Sequence, residues 1–384
     1  MSVTAAKGFR AAGVAAGLKA SGAPDVALVI NDGPRNAAAA VFTSNRCKAN
    51  PVLWSERAVA DGRLAAVVLN SGGANCYTGP AGFELTHATA EEVGRQAGIS
   101  PLDVLVCSTG LIGPMFDRER MLAGVAAATE LLSPQGGDAA AHAIMTTDTV
   151  AKQARHTSPA GWTIGGMAKG AGMLAPALAT MLIVITTDAD VDAAGCERAL
   201  RAATAVSFDR LDSDGCQSTN DTVALLASGA SGVVPDLGEF GAALTGICLE
   251  LAHQLLADAE GADHEISIEV VNAARVDEAV EVGRSVARSN LFKAAIFGRD
   301  ANWGRILAAV GTTAAEFDPA DLDVALNGVW VCRKSAPGES ADLIDLTGRQ
   351  VTVTIDLKSG PATATVWTND LTLAYVHENS AYSS

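Results

Sequence analysis

The segment KGAGMLAPALATMLIVITTD, residues 169–188, places Thr180 at the head of an apolar run and behind a row of small residues. A threonine hydroxyl is almost never ionised near neutral pH, so a threonine that attacks a carbonyl needs a base held against it. Its own α-amine, freed by a cut in front of it, has an unperturbed pKa of about 7.7 to 8.0 and is substantially neutral where a lysine amine is not. That chemistry requires a break between Ala179 and Thr180. Ala177, Leu178 and Ala179 are small or uncharged, which leaves room for the backbone distortion that attack on the Ala179 carbonyl entails. The plainer role for Thr180 is a β-former opening a buried strand, and strand preferences alone favour it.

Other residues offer pieces of the same chemistry. In STGLIG, residues 108–113, Thr109 carries a hydroxyl and Gly110 lets a backbone N–H approach a ligand closely, although the motif by itself is a strand-to-turn signal. Lys169 lies in a Gly-rich segment, where a lone lysine ordinarily reads as a solvated charge. Glu260, in DAEGADH, closes a long helical pattern where the macrodipole disfavours a carboxylate, which suggests that something other than helix stability keeps it. The six histidines have no paired ligand spacing, so no metal is expected. Cys76 and Cys107 flank Gly-rich turns without any mark of an activated thiolate. NSGGANCYTG lacks the Gly-Lys-Ser/Thr ending of a phosphate loop and reads as a tight turn lining a cavity.

The elements that must hold these residues are legible as short apolar strands alternating with longer helices. DVALVI (25–30), AAAAVF (37–42), LAAVVLN (64–70) and DVLVCS (103–108) read as strands whose apolar character is continuous rather than alternating. Such strands are covered on both faces, by helices on one side and a second sheet on the other. Helical periodicity marks residues 83–97 and 118–132, CERALRAATAV, 240–259, 278–297 and 303–309. TMLIVITT, DTVALLA, EISIEVV, VALNGVWVC, QVTVTIDL and TATVWTNDLTLAYV read as β-rich. The mixed order predicts an α+β fold in stacked layers, with loops at 133–138 and 334–340 and no repeat.

Composition bounds the function. The chain of 384 residues is 49% hydrophobic and 18% charged, enough for a large core, and its 27 basic against 43 acidic residues give −16. That balance argues against nucleic acid and anionic lipid as partners. The apolar run at Met181–Ile185 is far short of the roughly 20 residues that cross a bilayer. Seven scattered cysteines, an odd number, suggest a reducing compartment, and the chain is read as cytoplasmic.

KGAGMLAPALATML resembles the self-processing signature K-G-x-G-M-x-x-P-x-x-A-T-M-L of the ornithine acetyltransferase family, also called glutamate N-acetyltransferase. GFRAAGVAAGLK, NSGGANCYTG, STGLIG, MTTDT, STNDT, NWGRI and ENSAYSS look like further blocks in the family's order, so the likeness covers essentially the whole chain. The resemblance implies a stacked α/β/β/α sandwich, related to self-cleaving N-terminal-nucleophile aminopeptidases. It implies a cut at Ala179–Thr180 that leaves chains 1–179 and 180–384 folded together, in a heterotetramer of two of each. Thr180 is then the nucleophile, and Thr109 with Gly110 forms the oxyanion hole. Thr146, Thr147, Lys169, Thr180, Glu260, Asn379 and Ser384 touch substrate, Lys169 and Glu260 supplying the opposite charges that N-acetylornithine needs. The implied reaction moves the acetyl group to glutamate without metal or cofactor.

Three departures from the family pattern are Asp263 where Thr is frequent, Cys216-Gln217 in place of Asp-Thr, and Ser384 in place of Thr. Asp263 adds negative charge near the expected ammonium site. The alternatives are a bifunctional enzyme that also uses acetyl-CoA, an aminopeptidase of the same fold, and an uncut ligand-binding relative.

Overall fold

The computed structural model describes residues 3–174 and 181–381. Strands and helices are numbered in chain order. The first sheet contains β1 (Phe9–Val14), β2 (Val26–Asn31), β4 (Ala66–Asn70) and β5 (Val104–Ser108), in the order β1-β2-β4-β5. The second contains β3 (Ala37–Phe42), β6 (Lys152–Thr157), β7 (Thr163–Lys169), β8 (Leu182–Thr187) and β9 (Thr222–Ala227), in the order β3-β9-β8-β7-β6.

The side chains of β8 explain its unbroken apolar run. Leu182 and Val184 join the core shared with Leu28, Val68 and Val106 of the first sheet, while Ile183 and Ile185 join Leu200, Leu244 and Leu251 under the helices. Alternate residues therefore enter different dry layers, and the run Leu182–Ile185 is apolar throughout. The outer layers are α2 (Gly79–Ala97) and α3 (Arg118–Glu130) on the first sheet, and α5 (Ala193–Ala205) and α6 (Leu237–Ala257) on the second. This is the expected α/β/β/α sandwich within an α+β chain. Asp117, Asp192 and Asp236 start α3, α5 and α6 by accepting from the N–H of Arg120, Gly195 and Glu239. α6 has the length and hydropathy of a membrane span, but its stripe of Phe240, Leu244, Leu251 and Leu255 is buried against the second sheet.

A third sheet follows: β10 (Glu265–Ala273), β11 (Asp323–Leu326), β12 (Val329–Arg333), β13 (Ala336–Pro337), β14 (Gln350–Asp356) and β15 (Ala362–Asn369), in the order β13-β12-β11-β14-β10-β15. β10 alternates buried and half-buried residues, and its buried Ile268 and Val270 pack with Val282 and Val286 of α7 (Val276–Ala287).

Several elements differ from the sequence reading. Residues 278–297 hold two helices, because Ser289 accepts from Phe292 N–H and starts α8 (Asn290–Phe297), which α9 (Trp303–Val310) follows. VALNGVWVC is a hairpin, β11 and β12, turned by Asn327-Gly328 with φ of +47° and +83°. The final β-rich run ends at Asn369, after which α10 (Leu373–Ala381) forms. The loop at 133–138 feeds α4 (Gly137–Ala143). α1 (Asn50–Ala58), β1, β6 and β7 carried no pattern that set them apart.

Candidate active site

β7 ends at Lys169 and β8 begins at Leu182, so the connection between two paired strands of the second sheet carries the segment around Thr180. Ala179 and Thr180 lie outside the described residues, as does Ser384. The two described ends of that connection are held by one loop, residues 213–222. Leu174 N–H donates to Asp214 Oδ2 at 2.6 Å, and Leu174 O accepts from the N–H groups of Ser213 and Asp214. Met181 N–H donates to Asp221 Oδ1 at 3.0 Å, and Met181 O accepts from Thr222 N–H. Asp221 is fully buried, its Oδ2 has no hydrogen-bond partner among the described residues, and burial pushes its carboxyl well above the usual carboxylate range. The same loop reaches the STG turn, since Asn220 Nδ2 donates to Ser108 O and Ala74 O at 2.8 and 2.6 Å.

Thr109 and Gly110 leave the C-terminal end of β5. Thr109 N–H is used on Asn70 O, and Thr109 O accepts from Gly73 N–H, which fixes the turn against NSGGANC. Among the described residues, the donors of this turn left over are the Thr109 hydroxyl and the Gly110 N–H. Gly110 has φ of +130°, and a Cβ there would stand 2.9 Å from the backbone of Gly73. Both the conformation and the close approach demand glycine.

Lys169 is buried, and its Nζ donates to Thr109 Oγ1 at 3.3 Å. Burial lowers its pKa, while Asp148 and, more weakly, Asp221 and Glu260 favour its charged form. Asp148 organises this side of the site: it accepts from Gly170 N–H and Lys152 Nζ, both at 2.6 Å, and from Thr146 N–H at 2.9 Å. Burial opposes its ionisation, but Lys169 and Lys152 outweigh that and hold its carboxyl down at about 2. Lys152 also meets Asp258 at 2.6 Å.

A folded pKa of about 2 against an ordinary 3.8 means that Asp148 stabilises the fold fully above that ordinary value and loses the effect as pH falls through about 2. Asp148→Asn should therefore cost about 2 kcal/mol of unfolding free energy at neutral pH, by the usual conversion of a pKa shift. Urea unfolding at descending pH checks this. The gap to wild type must narrow in acid, and a gap independent of pH would exclude the ion pairs as its cause.

Glu260 follows α6 rather than closing it, since that helix ends at Ala257 with Asp258 at its cap. Its place is set by its backbone N–H, which donates to Ala171 O at 2.9 Å, and not by the helix dipole. A Cβ on Gly172 would stand 2.7 Å from the Glu260 carboxylate, so the glycine there admits the acid. Glu260 and Thr147 line a cavity of about 440 Å³ together with Asp258, Asp263, Arg349 and Glu378. Four acids against one arginine make that wall cation-seeking.

The structure thus brings Thr109, Gly110 and Lys169 together, with Thr147 and Glu260 on the adjoining cavity and Thr146 bound to Asp148. Asn379 is exposed on α10 and its side chain donates to Tyr375 O, whereas Ala374 and Glu378 of that helix line the cavity. Asp148, Lys152, Asp214, Asp221 and Asp258 were not singled out from sequence. Three of them, Asp148, Asp221 and Asp258, lie in segments that were, MTTDT, STNDT and DAEGADH. Among the described residues no cluster of three or more His, Cys, Asp or Glu side chains is arranged to hold a metal. The Cys107 thiol is pushed up to about 12 by burial, the opposite of an activated nucleophile.

The sequence pattern of the ArgJ family matches residues 10–384. The Streptomyces coelicolor arginine biosynthesis bifunctional protein ArgJ is 61% identical over 384 residues, covering 100% of both chains. The protein of the same name from Thermobifida fusca is also 61% identical with 100% of both chains covered. Among solved structures, Mycobacterium tuberculosis ornithine acetyltransferase complexed with ornithine is 56% identical, with a TM-score of 0.45, over 47% of this chain and 96% of that one.

Proposed function

The chain belongs to the ArgJ family, and on that premise we propose that it transfers the acetyl group of N-acetylornithine to glutamate through an acetyl ester on Thr180. The observation that carries this reading is the pairing of leftover donors at Thr109 and Gly110 with a buried Lys169, beside an acid-walled cavity containing Glu260.

The chain first cuts itself between Ala179 and Thr180, and the new α-amine becomes the base. It takes the Thr180 hydroxyl proton as the oxygen attacks the acetyl carbonyl. The negative charge that develops on the carbonyl oxygen is met by the Thr109 hydroxyl and the Gly110 N–H. Because Lys169 donates to Thr109 Oγ1, the hydroxyl hydrogen is left free to face that charge. Collapse expels ornithine, whose amine takes the proton back. The amine of glutamate then attacks the ester, and N-acetylglutamate leaves with Thr180 restored. No metal or cofactor takes part.

Glu260 receives the distal ammonium of ornithine, and Lys169 contributes the positive charge for the α-carboxylate. Thr146, Thr147, Asn379 and Ser384 complete the substrate contacts. Strands β3, β6 and β7 precede the cut and β8 and β9 follow it, all in one sheet, which supports fragments that stay folded together. We take the assembly to be a heterotetramer of two α and two β chains, working in the cytoplasm.

The name bifunctional, carried by relatives 61% identical over their whole length, favours a second activity, the making of N-acetylglutamate from acetyl-CoA at the same threonine. Glutamate acetylation assayed with acetyl-CoA alone as donor decides it.

The charge assignment is tested by changing substrate and protein together. Glu260 is only half-buried, so Glu260→Gln should lose about 2 kcal/mol in kcat/KM for N-acetylornithine, roughly 30-fold, the low end for breaking a charged pair. An acetylated amino acid with an apolar side chain should be a poor donor for wild type and lose little more in the variant. Equal losses for both donors would mean that Glu260 holds the turn and not the ammonium.

A further inference from the structure

A second cavity, of about 740 Å³, opens between the helical turn Phe208–Arg210, α7 and the end of α9, and shares no lining residue with the one beside Glu260. Small-molecule sites span about 300 to 1,000 Å³. Two arginines of its wall form no ion pair with a carboxylate among the described residues. Arg210 donates through Nε to Ala205 O at 2.8 Å, and Arg284 donates through Nη2 to Asp209 O at 3.0 Å, but neither forms an ion pair. Their neighbour Arg288, by contrast, meets Asp212 at 2.8 Å. Burial lowers the pKa of both unpaired arginines, and the charge of Arg284 lowers that of Arg210 further.

Within the same wall, Arg284 Nε is a buried donor and Asp209 Oδ1 a buried acceptor, each without a hydrogen-bond partner among the described residues. A buried polar atom left in this state destabilises the fold until a partner reaches it. The two carry opposite charge on adjacent elements and still do not bond to each other. A ligand that offers an acceptor to the first and a donor to the second satisfies both. An inorganic polyanion does not, because Asp209, Asp277 and Glu281 stand in the wall beside the arginines.

We propose that this cavity is a second binding site, separate from the acetyl-transfer site, for an amphoteric small molecule carrying a carboxylate and an ammonium, the class of the free amino acids. The carboxylate lies on the guanidinium forks of Arg210 and Arg284, a geometry suited to two parallel hydrogen bonds. The ammonium lies on Asp209, and the apolar part rests on Val276 and Val280.

Thermal unfolding of the purified protein with each standard L-amino acid at millimolar concentration tests the site, with succinate and cadaverine as probes that carry only one of the two charges. At least one amino acid should raise Tm by roughly 2 to 4 °C at saturation, and succinate and cadaverine should not. That shift should persist in Glu260→Gln, which removes one acidic charge from the other cavity, and disappear in Arg284→Gln. Thr312→Trp, a change at an exposed position on the rim, should block binding while leaving both charges in place. The proposal is overturned if no amino acid raises Tm, if the shift survives both Arg284→Gln and Thr312→Trp, or if Glu260→Gln abolishes it. An Arg284→Gln protein that falls from an oligomer to smaller species overturns it too, since the face would then belong to a second copy of the chain.

Discussion

Thr180→Ala should run as a single chain of full length on a denaturing gel and show no acetyl transfer, whereas wild type should give fragments of 179 and 205 residues, the second beginning Thr-Met-Leu-Ile. Removing a covalent nucleophile costs about 10⁶-fold in kcat where it has been measured in other enzymes. Here the loss should be as severe, because the substitution removes both the attacking oxygen and the residue at which the chain opens. Thr180→Ser should cut itself and retain part of the turnover, since serine restores a hydroxyl on a free α-amine. Under native conditions the wild-type fragments should migrate together, held by the β7–β8 and β3–β9 pairings. Wild-type protein that is active and uncut would sink the α-amine mechanism outright.

The layers of this fold are legible in the sequence wherever burial is two-sided. VALVI, AVVL, VLVC and LIVI are apolar at every position because alternate side chains enter different cores, and the strands turn polar only at their buried ends, Asn31, Asn70, Ser108 and Thr186-Thr187. β6 and β7 escape the same reading for an opposite reason. β6, KQARHT, buries Lys152 in an ion pair and leaves Arg155 exposed, and β7, TIGGMAK, contains a glycine pair and ends on the buried Lys169. The residues that serve the site are those that spoil the strand pattern. Likewise α10 follows a strand whose β-branched run continues in composition past Asn369, and only the turn at Asp370–Thr372, tied by Asp370 to His264 and by Thr372 to Gly261, ends it.

The site divides along a similar line. Thr109, Gly110, Lys169 and Glu260 sit in short stretches whose residue types advertise donors and charges. The groups that hold them do not. Asp148 and Asp221 are single acids in polar loops, indistinguishable from solvated turn residues until the fold buries one between two lysines and the other under Met181 N–H. Glu260 shows a converse limit: the helical pattern continues in composition past Ala257, where α6 stops, and the bond that places Glu260, to Ala171 O, depends on a segment distant in sequence.

Thr109→Ala should lower kcat by about 10²- to 10³-fold, the usual loss for one donor to a developing oxyanion, and leave KM for the acetyl donor nearly unchanged. The turn is fixed through the backbone bonds of Thr109 to Asn70 and Gly73, and the hydroxyl adds only the long 3.3 Å bond from Lys169 Nζ, so Tm should fall modestly. Gly110→Ala tests the other donor through its backbone. At φ of +130° a Cβ is strained, and at 2.9 Å from Gly73 it must push the turn aside. The displaced N–H then no longer meets the charge, so kcat should fall at least as far as in Thr109→Ala, with a larger loss of Tm than in the threonine variant. The double variant should lose less than the product of the two single effects if both donors serve one oxygen, because groups acting as a unit are non-additive. Steady-state kinetics of the three proteins on one donor, with melting curves beside them, separates the cases. A weakened KM with kcat intact in Thr109→Ala would move Thr109 from the oxyanion to the ground-state pocket, leaving Gly110 to act with a donor other than the hydroxyl that Lys169 orients.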